Sequence, residues 1–182
     1  AKTCRGYDAG QAEEACRRVK DAGFALGVQL LPGMPASPPR VFLSDVRKAL
    51  AFSASCLRFY PCLVLEGTPL ALLWQKGHYQ PWDLPTTLAT LAHAYLLAQD
   101  AAVSVIRMGL APQGDLLRHL LAGPWHPALG SRVMARALYV AVVRALHGGR
   151  LLSLRLPKAL QGFFFGEKGE MRTFWKRLGL MH

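Results

Sequence analysis

A chain of 182 residues, 52% of them hydrophobic, is long enough to bury one sizeable core, or a core with a small appendage, and is not a disordered tail. Its 22 Lys and Arg against 11 Asp and Glu leave a formal charge of +11, which makes the surface attractive to polyanions such as nucleic acid or an acidic membrane face. Polar residues interrupt every apolar run before the roughly 20 residues of a spanning helix, and no secretory leader pattern opens the chain, so a cytoplasmic protein with no membrane partner is expected.

Asp8 followed by Gln11 has the form of a helix cap with its reciprocal partner, and Glu13, Glu14, Arg17, Arg18 and Lys20 give a charged face as far as Gly23. A short buried strand is expected over Gly27 to Leu31, stopped by Pro32-Gly33-Met34-Pro35. Val41, Leu43, Val46, Ala49 and Leu50 recur at helical spacing, and Leu57 to Leu65 reads as a second apolar strand. Thr68-Pro69 starts another helix, with Pro69 in its first turn. After the turn-rich Gly77 to Pro85, a long helix is predicted from Thr86 to Ala101 and a third strand from Val103 to Met108. Short apolar strands alternating with helices mean a parallel sheet, either open and doubly wound or part of a barrel, with ligands at the C-terminal strand ends.

From Pro112 the alternation weakens. Helices are expected over Asp115 to Ala122 and Ala128 to His147, with Gly123-Pro124-Trp125-His126-Pro127 between them and Gly148-Gly149 closing the second. A β-like stretch from Arg150 to Leu156 follows, then a short helix after Pro157, the loop Gly166-Glu167-Lys168-Gly169 and a basic amphipathic finish. A boundary near residue 113 divides an α/β unit (1–113) from a small, mostly helical α+β region (114–182).

Four cysteines, Cys4, Cys16, Cys56 and Cys62, have gaps that fit neither a zinc ribbon nor a CxxxCxxC loop, so no metal site is read. The histidines form no HExxH, which argues against a zinc hydrolase. Gln29 is an amide in an apolar strand and needs a partner there, whether backbone, buried water or a ligand hydroxyl. Arg58 and Tyr60 share one face of their strand; Arg58 suits a carboxylate if that face looks into a barrel, and otherwise reaches out of a sheet edge. Arg107 precedes Met108-Gly109 at the third strand's end, where glycine lets a ligand ring approach the backbone. Gly166 to Gly169 matches the GxxG that clamps a nucleic-acid backbone in KH domains, or is an ordinary turn between helices.

Read together, Arg5-Gly6-Tyr7, Gly23 to Pro35, Arg58 to Leu70 and Val105-Ile106-Arg107-Met108-Gly109-Leu110 resemble radical-SAM proteins of the group related to the Elongator catalytic subunit, often labelled oxygen-independent coproporphyrinogen oxidase-like. The resemblance covers roughly residues 5 to 113, and His126-Pro127-Ala128 with the basic tail resembles that group's C-terminal extension. It implies the second half of a (βα)6 partial barrel, carrying the fourth to sixth strands. In that family three cysteines hold a [4Fe-4S] cluster, and bound S-adenosylmethionine is cleaved to a 5′-deoxyadenosyl radical. By the same resemblance Gln29 approaches the cofactor's ribose, Arg58 and Tyr60 lie near its polar end, and the backbone around Ile106, Met108 and Gly109 supports the adenine. Gly166, Lys168, Gly169 and Arg172 are the corresponding RNA-contact candidates.

The chain departs from the family pattern in having no CxxxCxxC motif. Pro35-Ala36-Ser37 also stands where the family continues with glycine. The expectation is a piece of a longer enzyme, completed by a missing N-terminal half of the barrel or by another chain. The alternatives are a non-catalytic truncated partner and an RNA-binding module. Nothing in the residues specifies a tetrapyrrole or any other substrate.

Overall fold

The computed structural model describes residues 6–111, 114–146 and 153–180. Cys4, Arg5, the Gly148-Gly149 stop and the beginning of the Arg150 to Leu156 stretch lie outside them; residues 153–156 take no strand conformation.

Helix α1 (Ala9–Asp21) begins as expected. The Asp8 carboxylate accepts the Gln11 N–H at 2.9 Å and the Gln11 side chain accepts the Asp8 N–H at 2.9 Å, closing a capping box. None of its residues is buried, although Cys16 and Val19 lean on the core. Strand β1 (Gly27–Leu30) leads to α2 (Pro39–Ala51), whose Phe42, Val46 and Ala49 recur at helical spacing and are buried. Strand β2 (Cys56–Phe59) follows, with Leu57 and Phe59 fully enclosed.

The single strand expected from Leu57 to Leu65 is two. Pro61 has no N–H to continue the ladder. Beyond it the chain leaves the sheet and forms β3 (Val64–Leu65) in a separate antiparallel pair. Helix α3 (Pro69–Gln75) is capped by Thr68, whose hydroxyl accepts the Ala71 N–H. Helix α4 (Leu84–Asp100) is capped by Asp83 and carries seven buried residues, because both the sheet and a later helix cover it.

Strand β4 (Ser104–Met108) completes a three-stranded parallel sheet in the order β1-β2-β4. Sequence neighbours are therefore spatial neighbours. The residues that turn from the strands into the core, Val28, Leu30, Leu57, Phe59, Val105 and Met108, all meet the cluster formed by α2 and α4. A doubly wound sheet carries helices on both faces, whereas here the described helices of the first core cover one, as in a segment of a barrel wall.

The helix expected from Asp115 to Ala122 stops after one turn, α5 (Gly114–Arg118), and Leu120–Ala122 forms β5, which pairs with β3. Helix α6 (Leu129–Leu146) then crosses the back of α4. Its Leu129, Val133 and Ala137 repeat every four residues and close the first core, while Ala135 and Val142 on its other side begin a second one. That second core is filled by Met171 and Trp175, from the hairpin of α7 (Lys158–Phe164) and α8 (Arg172–Arg177). The Trp175 ring stacks on Phe164 at 4.6 Å, and its indole N–H donates to the Phe164 carbonyl.

Candidate functional site: the open face and strand ends of the sheet

The face of the sheet turned away from the helices carries the polar strand residues. Gln29 pairs in register with Arg58, and Arg58 with Arg107, so one amide and two guanidinium groups form a row across β1, β2 and β4. All three are exposed. Gln29 therefore does not need the buried partner expected of it: a barrel wall seen from inside is open wherever further strands do not close it, and water solvates the amide. Beside the row is a cleft of about 130 Å³ lined by Gly27, Val28, Gln29, Cys56 and Arg58.

Ile106 reaches the open face by a different device. The register passes from Leu57↔Val105 to Arg58↔Arg107, leaving Ile106 as the extra residue of a β-bulge, 52% exposed. Met108, after the bulge, returns to the core side. Gly109 follows with φ +84°, and a Cβ there would lie 3.0 Å from Leu129 Cδ2 and 3.1 Å from Leu129 Cβ. The close approach that glycine allows is thus made by α6, where a ligand ring was expected. Its N–H donates to the Phe59 carbonyl at 2.9 Å, extending the ladder past the strand end.

The loops at the strand ends are tied together. Leu30 O accepts the Tyr60 N–H at 3.0 Å, Pro32 O accepts the Cys62 N–H at 2.9 Å, and Gly33 O accepts the Tyr79 hydroxyl at 2.7 Å. Tyr79 is 7% exposed, and burial, with Cys62 beside it, pushes its phenol far above the ordinary range, so the proton stays on it. The Trp82 ring fills the space beside Gly33, 3.4 Å from where a side chain would start. Sequence reading treated Gly77 to Pro85 only as turns. Two aromatics in a turn-rich segment were the available signal, since such rings need somewhere to be buried. Tyr60 itself is half-buried between the first two of these ties.

Cys56 and Cys62 differ in their surroundings: Cys62 is buried in the loop, while Cys56 is half-buried on the open face. Neither is in a disulfide, nor is Cys16.

In the C-terminal hairpin, the GxxG residues form a tight turn between α7 and α8. Gly166 (φ +67°), Lys168 (φ +50°) and Gly169 (φ +77°) all have positive φ, and a Cβ on Gly166 would meet Met171 at 2.7 Å. The two acids of this segment turn inward. Glu170 accepts from Arg132 Nε at 2.9 and 3.1 Å and from its Nη2, and the Glu167 carboxylate lies 3.2 Å from His126 Nε2. His126 Nδ1 accepts the Ala128 N–H at 3.1 Å, which fixes the ring beside Glu167. Lys168 and Arg172 remain exposed, Arg172 with its guanidinium 5.6 Å above the Phe165 ring.

Among the described residues no group of three His, Cys, Asp or Glu side chains is placed to hold a metal ion, so an iron–sulfur cluster does not fit the described donors. The amide and guanidinium row on the open face does fit the hydroxyl and carboxylate groups of S-adenosylmethionine.

Residues 54–138 match the family described as the Radical_SAM C-terminal domain. Over those residues the chain is similar to the C-terminal portion of radical-SAM proteins. It is also similar to Elongator-type proteins. It is 29% identical over 93 residues to the tRNA uridine(34) acetyltransferase of Methanocaldococcus jannaschii, a match over 50% of this chain and 17% of the relative. It is 32% identical over 96 residues to Elongator complex protein 3 of Mus musculus, over 49% and 17% respectively. The fold is that of the solved Elp3 of Methanocaldococcus infernus with its N-terminus deleted: TM-score 0.65, 22% identity, covering 76% of this chain and 32% of that one. The chain thus spans about a sixth of these curated relatives and a third of the solved structure.

Proposed function

We propose that this chain is part of a radical-SAM iron–sulfur enzyme that reductively cleaves S-adenosylmethionine to a 5′-deoxyadenosyl radical, and that its substrate is an RNA. The observation that carries the reading is the one-sided sheet, whose open face bears Gln29, Arg58 and Arg107 in register and whose β1 has an unpaired edge among the described residues. A parallel edge with a polar, solvent-open inner face is half of an interior, and the remaining strands, with three cysteine ligands, come from an N-terminal segment or a completing chain. Gln29, Arg58 and Tyr60 then face the cofactor's polar groups, and the backbone from Ile106 to Gly109 lies along its adenine. The test is the longer gene product purified without oxygen. It should show cluster absorbance and release 5′-deoxyadenosine under reduction; failure of both with a complete cysteine motif present refutes the reading.

The RNA part rests on the hairpin. Its two acids are engaged by His126 and Arg132, so Arg155, Lys158, Lys168, Arg172, Lys176 and Arg177 present an exposed surface with no free acid among the described residues, next to the 46% exposed Phe165 ring. Cations interleaved with an aromatic platform suit a single-stranded, base-stacking ligand. Replacing Lys168 and Arg172 with Gln should weaken RNA binding and lower the salt slope by about 0.7 per lost contact. Unchanged binding leaves a non-catalytic partner as the role of this region.

A further inference from the structure

Leu154-Arg155-Leu156-Pro157 leads into α7, and the half-buried Leu154 and Leu156 bracket an exposed Arg155. With Gln161, Phe164 and Phe165 these two leucines line a cleft of about 290 Å³. Its aromatic wall is held from behind. Phe164 stacks on Trp175 at 4.6 Å and 13°, and the Phe165 ring stands edge-on to Phe164 at 5.0 Å and 85°. Phe165 nevertheless stays 46% exposed. Gln161 is the polar element of the lining. Its Nε2 donates to the Leu156 carbonyl over a long 3.4 Å, and its Oε1 and second N–H bond no described residue.

Size and surroundings decide what such a cleft takes. Its volume is that of roughly ten waters in the liquid, close to the heavy-atom count of a nucleobase and at the small end of ligand clefts. Leucine and phenylalanine walls suit a flat ring, and an amide with a free oxygen and a free N–H matches the adjacent donor and acceptor of a base edge. The neighbouring residues are cationic. Arg155 stands between the two leucines, Lys158 opens the helix that carries Gln161, and Arg172 lies 5.6 Å over the Phe165 ring without being a wall of the cleft. None of these three pairs with an acid among the described residues. An apolar peptide or an acyl chain makes no use of that charge or of Gln161, whereas a base joined to a phosphodiester uses both. Building on the RNA reading of this hairpin, we infer that the cleft receives one unpaired base of a single-stranded RNA. The base stacks against Phe165 with its edge on Gln161, and the flanking phosphates lie on Arg155, Lys158 and Arg172.

The test measures, by fluorescence anisotropy at fixed salt, binding of the full 182-residue chain to a labelled polyadenosine strand and to an abasic ribose-phosphate strand of equal length. The two strands carry the same charge, so the ratio of their affinities reads base recognition alone. That ratio should fall about tenfold in F165A and about fivefold in Q161A, and F165Y should restore it. Gln161 is exposed, so Q161A decides the question where F165A fails to fold. K168Q should weaken both strands alike and leave the ratio unchanged. A ratio unchanged in both Q161A and F165A, with K168Q still weakening binding, overturns the cleft and leaves the RNA reading standing. Binding unaffected by K168Q and R172Q fails the RNA reading and takes the cleft with it. Adenosine 5′-monophosphate displacing the strand at equal concentration assigns the cleft to a free nucleotide and overturns the RNA assignment.

Discussion

Replacing Glu170 with Gln tests whether the GxxG turn is held by its acids. The side chains of Arg132 and Glu170 are 17% and 18% exposed, and the carboxylate takes three hydrogen bonds from one guanidinium. Breaking a buried pair costs about 3–5 kcal/mol and losing an exposed one about 0.2–1 kcal/mol. Exposures below a fifth place this pair nearer the first range. Glu167, whose carboxylate is 3.8 Å from Arg132 Nε, offsets part of the loss, as does the oxygen that Gln retains. The net expectation is about 2 kcal/mol, or about 4–8 °C in melting temperature for a cooperative unit of this size. Arg136 sharpens it: burial holds its guanidinium below the usual arginine range, so a second cation beside Arg132 is already poorly solvated when the acid is removed. Circular dichroism gives the melting shift, and Trp175 fluorescence reports the hairpin alone. A double-mutant cycle with Arg132→Met should return a coupling of about 2 kcal/mol. Destabilisation below about 0.5 kcal/mol for E170Q would refute the claim that these ion pairs shape the turn.

Gly109→Ala forces a left-handed residue and a methyl onto Leu129, and should cost about 2–4 kcal/mol in urea unfolding. Tyr79→Phe leaves the buried Gly33 carbonyl without its donor and should cost about 1–3 kcal/mol, with hydrogen exchange rising first around residues 32–36. Asp83→Ala removes the α4 cap and should lower the melting temperature at neutral pH. The hydrogen bonds from Thr86 hold the Asp83 carboxyl below its ordinary value. The cap therefore contributes fully above the unfolded value and fades as pH falls through the folded one, so the deficit of the variant should shrink below about pH 4.

The chain order of helices and strands was legible because each is amphipathic on its own. Asp8 with Gln11, the i, i+4 and i+7 set of Phe42, Val46 and Ala49, and the apolar Val103 to Met108 declare their elements locally. Two readings failed where distant partners decided. Leu120–Ala122 has the composition of a helix end, yet becomes a strand because β3 lies beside it, and Leu57 to Leu65 breaks at a proline whose effect depends on where the chain goes next. Of the site, Gln29 and Arg58 could be named from sequence because polar residues stand out in apolar strands. Their exposure could not, since it depends on which face of the sheet the distant helices α2 and α4 cover. The row with Arg107 needed the bulge at Ile106, and the Tyr79 to Gly33 bond spans 46 residues.

Helix α6 sets how the molecule can be divided. A cut in the loop before α5, where the composition changes, takes Leu129, Val133 and Ala137 out of the core they share with α4. A cut after α6 keeps the first core closed but strips Ala135, Tyr139 and Val142 of Met171 and Trp175. The smallest inheritable unit that retains the barrel wall therefore runs through α6. An exchange of C-terminal hairpins between related proteins would have to keep this helix's far face, with Arg132 and the His126 loop, matched to the incoming turn.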